Sequence, residues 1–426
     1  MEIIPSSAVC TFVGEGAANV VFELSGVEDQ QGLKGQLLRL PKDESNGPSY
    51  AELQDYWQNK VSPLFAPHEL VQQRLVKLPQ DPAFIDSLNQ ELSQIEQKGT
   101  RRHDFVGHRF VPQAMETGML VEDMRSTKAG SSQPSSRPSS SGSGSKAKAK
   151  GKGKGKAKEE ENESDNSDMD DGGPFKMSEI KPKWLHQSPR APEGAEQCRN
   201  CAREVQRNLK NDTRNEVFCP LNLVMAADFP RNQNVLGEIR RHQKLSNVEA
   251  ENLQKWLSES NLLRRLRAKQ WELDHSAVKV VPSASSSGAM SQASSATPAP
   301  QSPGAESDAE EADTVARYCL AMTLRDCSLF LQIPQRPGAK WGDVVAKLAD
   351  LDKKNYGTKH EYWEGMEDGL HKKNLYWKSG AGGVSGELTN CLLPSYKANI
   401  RNLSDELREY YRLPLKDQSQ GRDQST

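Results

Sequence analysis

The sequence predicts an α+β chain of two lobes: a small β-rich amino-terminal lobe and a larger α/β carboxy-terminal lobe, with disordered insertions. Three observations predict it. Residues 8–42 read as strand, turn, strand, loop, strand, with β-branched residues around a glycine turn. From Tyr50 to about Gln97, apolar residues recur at three- and four-residue spacing. Two long tracts rich in Ser, Gly, Pro and charge then divide what remains. Of 426 residues only 35% are hydrophobic, so the ordered part is smaller than the length, on the order of 300 residues.

The elements follow in order. AVCTFV and NVVFEL flank GEGAA, and GQLLRLPK is the third strand. SYAELQDYWQNKVSPLF and FIDSLNQELSQIEQ carry the helical spacing, and GMLVEDM, at 118–124, is a buried strand. Residues 126–172 hold a Ser-rich run, then KAKAKGKGKGKAK, then EEENESDNSDMDD, and cannot bury enough apolar surface to fold. FKMSEIKPKWL reads as a strand, with helices near 198–210 and 247–270. A second tract fills 283–313. TVARYCLAMTLRDCSLFLQI behind it is expected to form a strand hairpin, followed by VVAKLADLDKKN and a polar tail. The layout is an amino-terminal lobe over 1–125, an insertion over 126–172, and a first carboxy-terminal part over 173–282. A second insertion spans 283–313, the rest of that lobe 314–380, and the tail 381–426.

Lys plus Arg total 56 and Asp plus Glu 58, a formal net charge of −2 that by itself selects no partner. The start lacks a basic then apolar leader, and no stretch approaches the roughly 18 apolar residues of a membrane span. Seven unevenly spaced cysteines do not form a secreted disulfide framework. The expectation is a soluble monomer of the nucleus or cytoplasm with reduced thiols.

Four motifs carry chemistry. Gly14-Glu15-Gly16-Ala17-Ala18-Asn19 lies between two strands, where glycine lets backbone amides approach phosphate. Arg39, on the next strand, could grip the same phosphates bidentately; a plain glycine turn and a solvated arginine are the bland alternatives. In Glu179-Ile180-Lys181-Pro182-Lys183, strand alternation would turn Glu179, Lys181 and Lys183 to one face. Two lysines sharing a face call for an anion, unless this is a solvent-facing edge strand. Asp326 in Met322-Thr323-Leu324-Arg325-Asp326-Cys327-Ser328 sits among apolar residues and needs a cation, either magnesium or an adjoining Arg325. Asp350-Leu351-Asp352-Lys353-Lys354, with Lys359 and Tyr362 beyond, offers donors to a heavily phosphorylated substrate, or is an ordinary charged helix start.

In this order the motifs resemble the inositol-pentakisphosphate 2-kinase family, its fungal branch in particular. The likeness rests on GEGAANVV, LLRLPK, GMLVEDM, EIKPKW, CRNCAREVQRN, FCPLNLV, LAMTLRDCSLF and LADLDKK, and covers most of the chain outside the tracts and tail. It implies a kinase-like fold and transfer of the γ-phosphate of ATP to the 2-hydroxyl of inositol pentakisphosphate, with Mg2+. The resemblance places Gly14, Gly16, Asn19 and Arg39 on ATP phosphates and Glu122, Asp123 and Met124 at the adenine. It also assigns Glu179, Arg264 and Asp350 to the nucleotide. Asp326 and Lys181 would be catalytic, with Asp326 and Asp350 on the metal. Lys183, Arg207, Asn261, Lys354, Lys359 and Tyr362 would bind substrate. Two departures stand out. The basic residue expected between Lys354 and Tyr362 falls on Thr358, so that Lys359 substitutes, and an upstream substrate arginine has only Arg102 as a candidate.

Cys198-x-x-Cys201 with Cys219 supplies three thiols where zinc takes four ligands, and His186 is the only nearby histidine. Buried thiols are therefore expected here, and a structural zinc is not. The basic run could bind nucleic acid in a scaffold, but the acidic block behind it favours a self-screening linker. A protein kinase is excluded by the lack of HRD and DFG motifs.

Overall fold

Period-two alternation builds the amino-terminal sheet. In β1 (Val9–Glu15), β2 (Asn19–Ser25) and β3 (Gln36–Pro41), Val20, Phe22, Leu24, Leu38 and Leu40 turn to one face and are buried. Adding β4 (Gln73–Lys77) and β5 (Thr117–Glu122) gives an antiparallel sheet ordered β1-β2-β3-β5-β4. This computed structural model describes residues 1–27, 32–43, 47–108, 110–125, 173–230, 232–278, 304–378 and 389–400.

Each face of the sheet takes a helix. Helix α1 (Tyr50–Tyr56) starts at Ser49, whose side chain and Glu52 form a capping box. Its Tyr50 and Leu53 cover Met119. After π and 3-10 turns through Glu69 and strand β4, α2 (Pro82–Gln97) begins with Asp81 as N-cap and Pro82 in its first turn. Phe84, Ile85, Leu88 and Leu92 lie on the other face of the sheet. Burying each is worth roughly 1.5–3 kcal/mol.

The second sheet is antiparallel, β6 (Phe175–Ile180), β7 (Ser328–Pro334), β8 (Val345–Ala349), in that order. Among the described residues, eight further helices surround it: α3 (Arg199–Asn211), α4 (Leu221–Asp228), α5 (Gln233–His242), α6 (Asn247–Glu259), α7 (Leu262–Val278), α8 (Gly304–Asp326), α9 (Tyr356–Lys372) and α10 (Leu393–Ile400). One large apolar cluster runs from Ile180 through these helices to Tyr396 and takes in Trp57, Val61, Phe65 and Leu70 from the first part of the chain. Residues flanking β4 and β5 of the first sheet bond to strands of the second. Val71 N–H donates to the Leu348 carbonyl at 2.9 Å, and Gln332 Nε2 donates to the Met124 carbonyl at 2.6 Å.

Several expectations are corrected. The segment read as a strand hairpin is helix α8 followed by β7. Leu320, Ala321 and Leu324, buried at three- and four-residue spacing, outweigh the local β-forming residues. The same helix covers 304–313, the end of the second predicted insertion, while 126–172 and 283–303 lie outside the described residues. Strand β4 lies inside a stretch read as helical, because its partner β5 is about forty residues away in sequence. Strand β6 stops at Ile180, so Lys181 and Lys183 are not strand residues. Pro182 lacks an N–H for the ladder, and Lys183 takes a left-handed φ of 49°. Residues 389–400 of the predicted tail are structured, with Leu393 and Tyr396 in the core; 401–426 lie outside the described residues.

Candidate functional site

Asp326 ends α8, where the helix dipole disfavours a carboxylate. Two lysines offset that cost: Lys354 Nζ lies 2.6 Å from Oδ2 and Lys183 Nζ 3.4 Å from Oδ1. Burial pushes the Asp326 pKa up, but Lys354 and Lys183 outweigh it and hold the carboxyl below its usual range. The expected alternative, an Arg325–Asp326 pair, does not form. Arg325 turns into the interior and pairs with Asp274 on α7.

Beside this group, Lys181 Nζ donates to Ser328 Oγ at 2.7 Å and lies 3.3 Å from Asp350 Oδ2 and 3.4 Å from Glu179 Oε1. Ser328 Oγ lies 2.7 Å from Glu179 Oε1, to which it donates. Burial lowers the Lys181 pKa, yet Asp350 and Glu179 more than offset it and the pKa is raised. Three lysines and three carboxylates thus meet at one end of the small sheet, although the strand geometry that predicted it is wrong.

Backbone placement comes from buried neighbours. Gln270 on α7, fully buried, donates to the carbonyls of Lys183 at 2.8 Å and Leu324 at 2.9 Å and accepts from Leu185 N–H at 3.0 Å. It ties the left-handed Lys183 turn to the end of α8. Thr323 Oγ1 donates to the Asp352 carbonyl at 2.9 Å, fixing the segment after β8. Sequence reasoning missed Ser328, Gln270 and Asp352; only adjacency to Asp326 and Asp350 marked the first and last.

The amino-terminal residues are placed differently. Gly16 N–H donates to the Asn19 carbonyl at 2.8 Å, and the Asn19 side chain accepts from Tyr50 at 2.9 Å. A Cβ at Gly14 or Gly16 would meet nothing within 4 Å, so the fold itself does not require glycine there. Glu15 is instead an anchor, buried in ion pairs with Lys42 at 2.8 Å and Arg101 at 3.2 Å. Arg39 is buried against Asp352. At the end of β5, Glu122 pairs with Lys347, Asp123 binds Arg125, and the Met124 carbonyl accepts from Gln332.

Other predicted residues are not drawn into the lysine–carboxylate cluster. Arg264 is committed to Asp228 and to the carbonyls of Ala227, Ser258 and Ser260, so it staples α4 to α6. Arg207 pairs with Glu204 along α3, and Asn261 is exposed at the α6–α7 junction. Lys359 and Tyr362 stand exposed on α9, and Arg102 pairs with Asp104 at the surface.

For a metal, Asp326 and Asp350 are accessible carboxylates. Glu179 stands beside Asp350, sharing Ser328 Oγ and Lys181 Nζ with it, and among the described residues these acids form no closed cage of three or more ligand atoms. That fits magnesium, which ordinarily takes one or two protein carboxylates and fills its shell with phosphate and water. Among the described residues no helix is long and apolar enough to cross a membrane.

Two antiparallel sheets in a helical shell, with alternating lysines and carboxylates at the smaller, define a mixed α/β protein with a site suited to phosphate groups. The chain belongs to the inositol-pentakisphosphate 2-kinase family, whose sequence model matches residues 12–369. It is 30% identical over 218 residues to an inositol-pentakisphosphate 2-kinase of Yarrowia lipolytica (strain CLIB 122 / E 150), covering 50% of this chain and 56% of that protein. A second such kinase, from Debaryomyces hansenii, is 36% identical over 93 residues, or 21% of this chain and 24% of that one. The chain thus matches little more than half the length of the first relative.

Proposed function

We propose that the chain transfers the γ-phosphoryl group of ATP to the 2-hydroxyl of inositol 1,3,4,5,6-pentakisphosphate, making inositol hexakisphosphate. The observation that carries this reading is the convergence of Lys181, Lys183 and Lys354 on Glu179, Asp326 and Asp350, within a chain of this family. The described residues of 1–125 form the smaller lobe of a kinase-like pair, and the described residues from 173 onward form the larger.

The 2-hydroxyl oxygen attacks the γ-phosphorus in line. The new O–P bond forms as the bond to the β-phosphate bridging oxygen breaks, and the hydroxyl proton passes to Asp326. An Asp326 carboxyl held below its usual range is a weak base but stays anionic, which suits a loose transition state in which orientation matters more than early proton removal. Lys181 faces the moving phosphoryl group and offsets its charge. Lys183 and Lys354 exchange Asp326 for substrate phosphates, each such contact being worth roughly 1.5–3 kcal/mol. Bound magnesium, held by Asp326 and Asp350, would neutralise charge on the nucleotide phosphates.

The test incubates the purified chain with ATP, Mg2+ and inositol pentakisphosphate and resolves products by anion exchange. A peak co-eluting with inositol hexakisphosphate is expected. Asp326→Asn should lower kcat about 10²–10⁴-fold with an unchanged circular dichroism spectrum. No product from the folded wild-type chain would overturn the reading, and near-normal turnover in Asp326→Asn would overturn the role of that residue.

A further inference from the structure

Strand β7 opens on Ser328, which is fully buried. Its neighbours in the sheet end at the same level. Ile180, the last residue of β6, pairs with Leu329, and Ala349, the last of β8, pairs with Ser328. Lys181 and Asp350 follow on those two chains, so Ser328 stands between the places where both leave the sheet.

Its hydroxyl meets three charged groups. Lys181 Nζ donates to Oγ at 2.7 Å, Oγ lies 2.7 Å from Glu179 Oε1, and Asp350 Oδ2 is 3.2 Å away. A hydroxyl carries one hydrogen and two acceptor lone pairs. The hydrogen goes to Glu179, the closer carboxylate, which leaves a lone pair for Lys181. From this arrangement we propose that Ser328 is a positioning residue whose hydroxyl fixes the direction of the Lys181 ammonium. The proposal rests on the phosphoryl transfer set out above and on the place given there to Lys181.

The other two acceptors of Lys181 are less suited to that task. Asp350 Oδ2 lies 3.3 Å and Glu179 Oε1 3.4 Å from Lys181 Nζ, both farther than Ser328. Their side chains are 57% and 44% exposed, whereas Ser328 is inaccessible. A lysine ammonium is a rotatable donor on a four-carbon stem, and Lys181 lies past the end of β6, where no strand pairing holds it. A buried serine on a paired strand supplies the fixed point.

Charge separates the acceptors further. A carboxylate that holds an ammonium also cancels its charge, whereas a neutral hydroxyl directs it and leaves the charge to act on a phosphoryl group. Asp350 has a second task at the metal, and a carboxylate drawn there loosens its hold on Lys181. The Ser328 hydroxyl keeps its place whichever partner Asp350 takes.

The test compares Ser328→Ala with wild type in the anion-exchange assay, after circular dichroism and thermal unfolding show both to be folded. kcat should fall about 10–100-fold. KM for inositol pentakisphosphate, which depends on Lys183 and Lys354, should stay within about twofold. In a Lys181→Ala background the same substitution should lower kcat no further, whereas a serine that served only sheet packing would lower it by the same factor again. Should Ser328→Ala fail to fold, Ser328→Cys, a weaker acceptor of similar size, is read in the same way.

A second readout is independent of the reaction. Under limiting acetic anhydride, peptide mass spectrometry should show Lys181 acetylated faster in Ser328→Ala than in wild type, with Lys372, exposed on α9, as internal reference. A wild-type chain that makes no product overturns the reading of the reaction, and the labelling alone then judges the hold of Ser328 on Lys181. Near-normal kcat in folded Ser328→Ala, a raised KM with kcat unchanged, an equal loss in the Lys181→Ala background, or unchanged labelling of Lys181 overturns the proposal.

Discussion

Arg39 of β3 clasps Asp352, 313 residues further along, with Nη1 3.0 Å from Oδ1 and Nη2 on Oδ2. Tyr50 flanks the guanidinium, its ring centroid 5.9 Å away. Burial works against the charge on Arg39, but Asp352 outweighs it and raises the pKa. The pair fastens the larger sheet to the segment carrying Asp350 and Lys354. Arg39→Ala should destabilise the chain by about 1–3 kcal/mol, since a charge-assisted bidentate contact is lost. A double-mutant cycle with Asp352→Asn in urea should show coupling above about 0.5 kcal/mol. Additive effects would mean that the contact contributes nothing.

Asp326 gives a pH prediction. Its folded pKa lies below the ordinary value, so the stabilisation it draws from Lys354 and Lys183 is present above the unfolded pKa, about 3.9, and is lost as pH falls through the folded pKa. Carbon NMR of the Asp326 carboxyl should show a midpoint below that of an ordinary aspartate. Lys354→Ala should move the midpoint up, and should raise KM for inositol pentakisphosphate about 10–150-fold, the equivalent of roughly 1.5–3 kcal/mol. An unshifted midpoint in Lys354→Ala would show that the 2.6 Å contact does not govern the carboxyl.

What the sequence disclosed follows how local each cause is. Val20, Phe22, Leu38 and Leu40 alternate with residues of the opposite face, and period two needs no distant partner, so β2 and β3 were legible. The Glu179–Lys183 motif was legible as chemistry because like charges at close spacing demand a counterion. Its geometry was not: Lys183 is turned by a left-handed backbone that Gln270 holds from 87 residues away. Arg39 reads in sequence as a candidate phosphate ligand, and nothing near it points to Asp352, the partner it has in the structure. Helix α8 is hidden in the sequence because its apolar spacing shows only once an acidic, Ala-rich lead-in is counted as helix.

Gly118 is a glycine the packing demands. A Cβ there would lie 2.8 Å from Leu38 Cδ1 and 2.9 Å from Leu40 Cδ2, both of fully buried leucines. Overpacking of this kind costs about 1–3 kcal/mol. Gly118→Ala should lower the midpoint of thermal unfolding, and Gly118→Ala with Leu38→Val should recover part of the loss. A Gly118→Ala chain as stable as wild type would show that the two leucines repack freely.

Arg325, the residue before Asp326, turns inward and forms a buried pair with Asp274, Nη2 and Oδ2 2.5 Å apart, with both side chains 2% exposed. The Arg325 guanidinium also stands 3.5 Å from the centroid of Trp184, which receives Arg199 at 4.4 Å as well. Burial lowers the Arg325 pKa and Asp274 only partly offsets it. Arg325→Met should therefore cost about 3–5 kcal/mol, because Asp274 would be left in the interior without its cation. Asp274→Leu added to Arg325→Met removes that charge and should restore most of the loss, as measured by urea denaturation. A double variant no more stable than Arg325→Met would mean that the arginine stabilises through its stacking on Trp184, not through the ion pair.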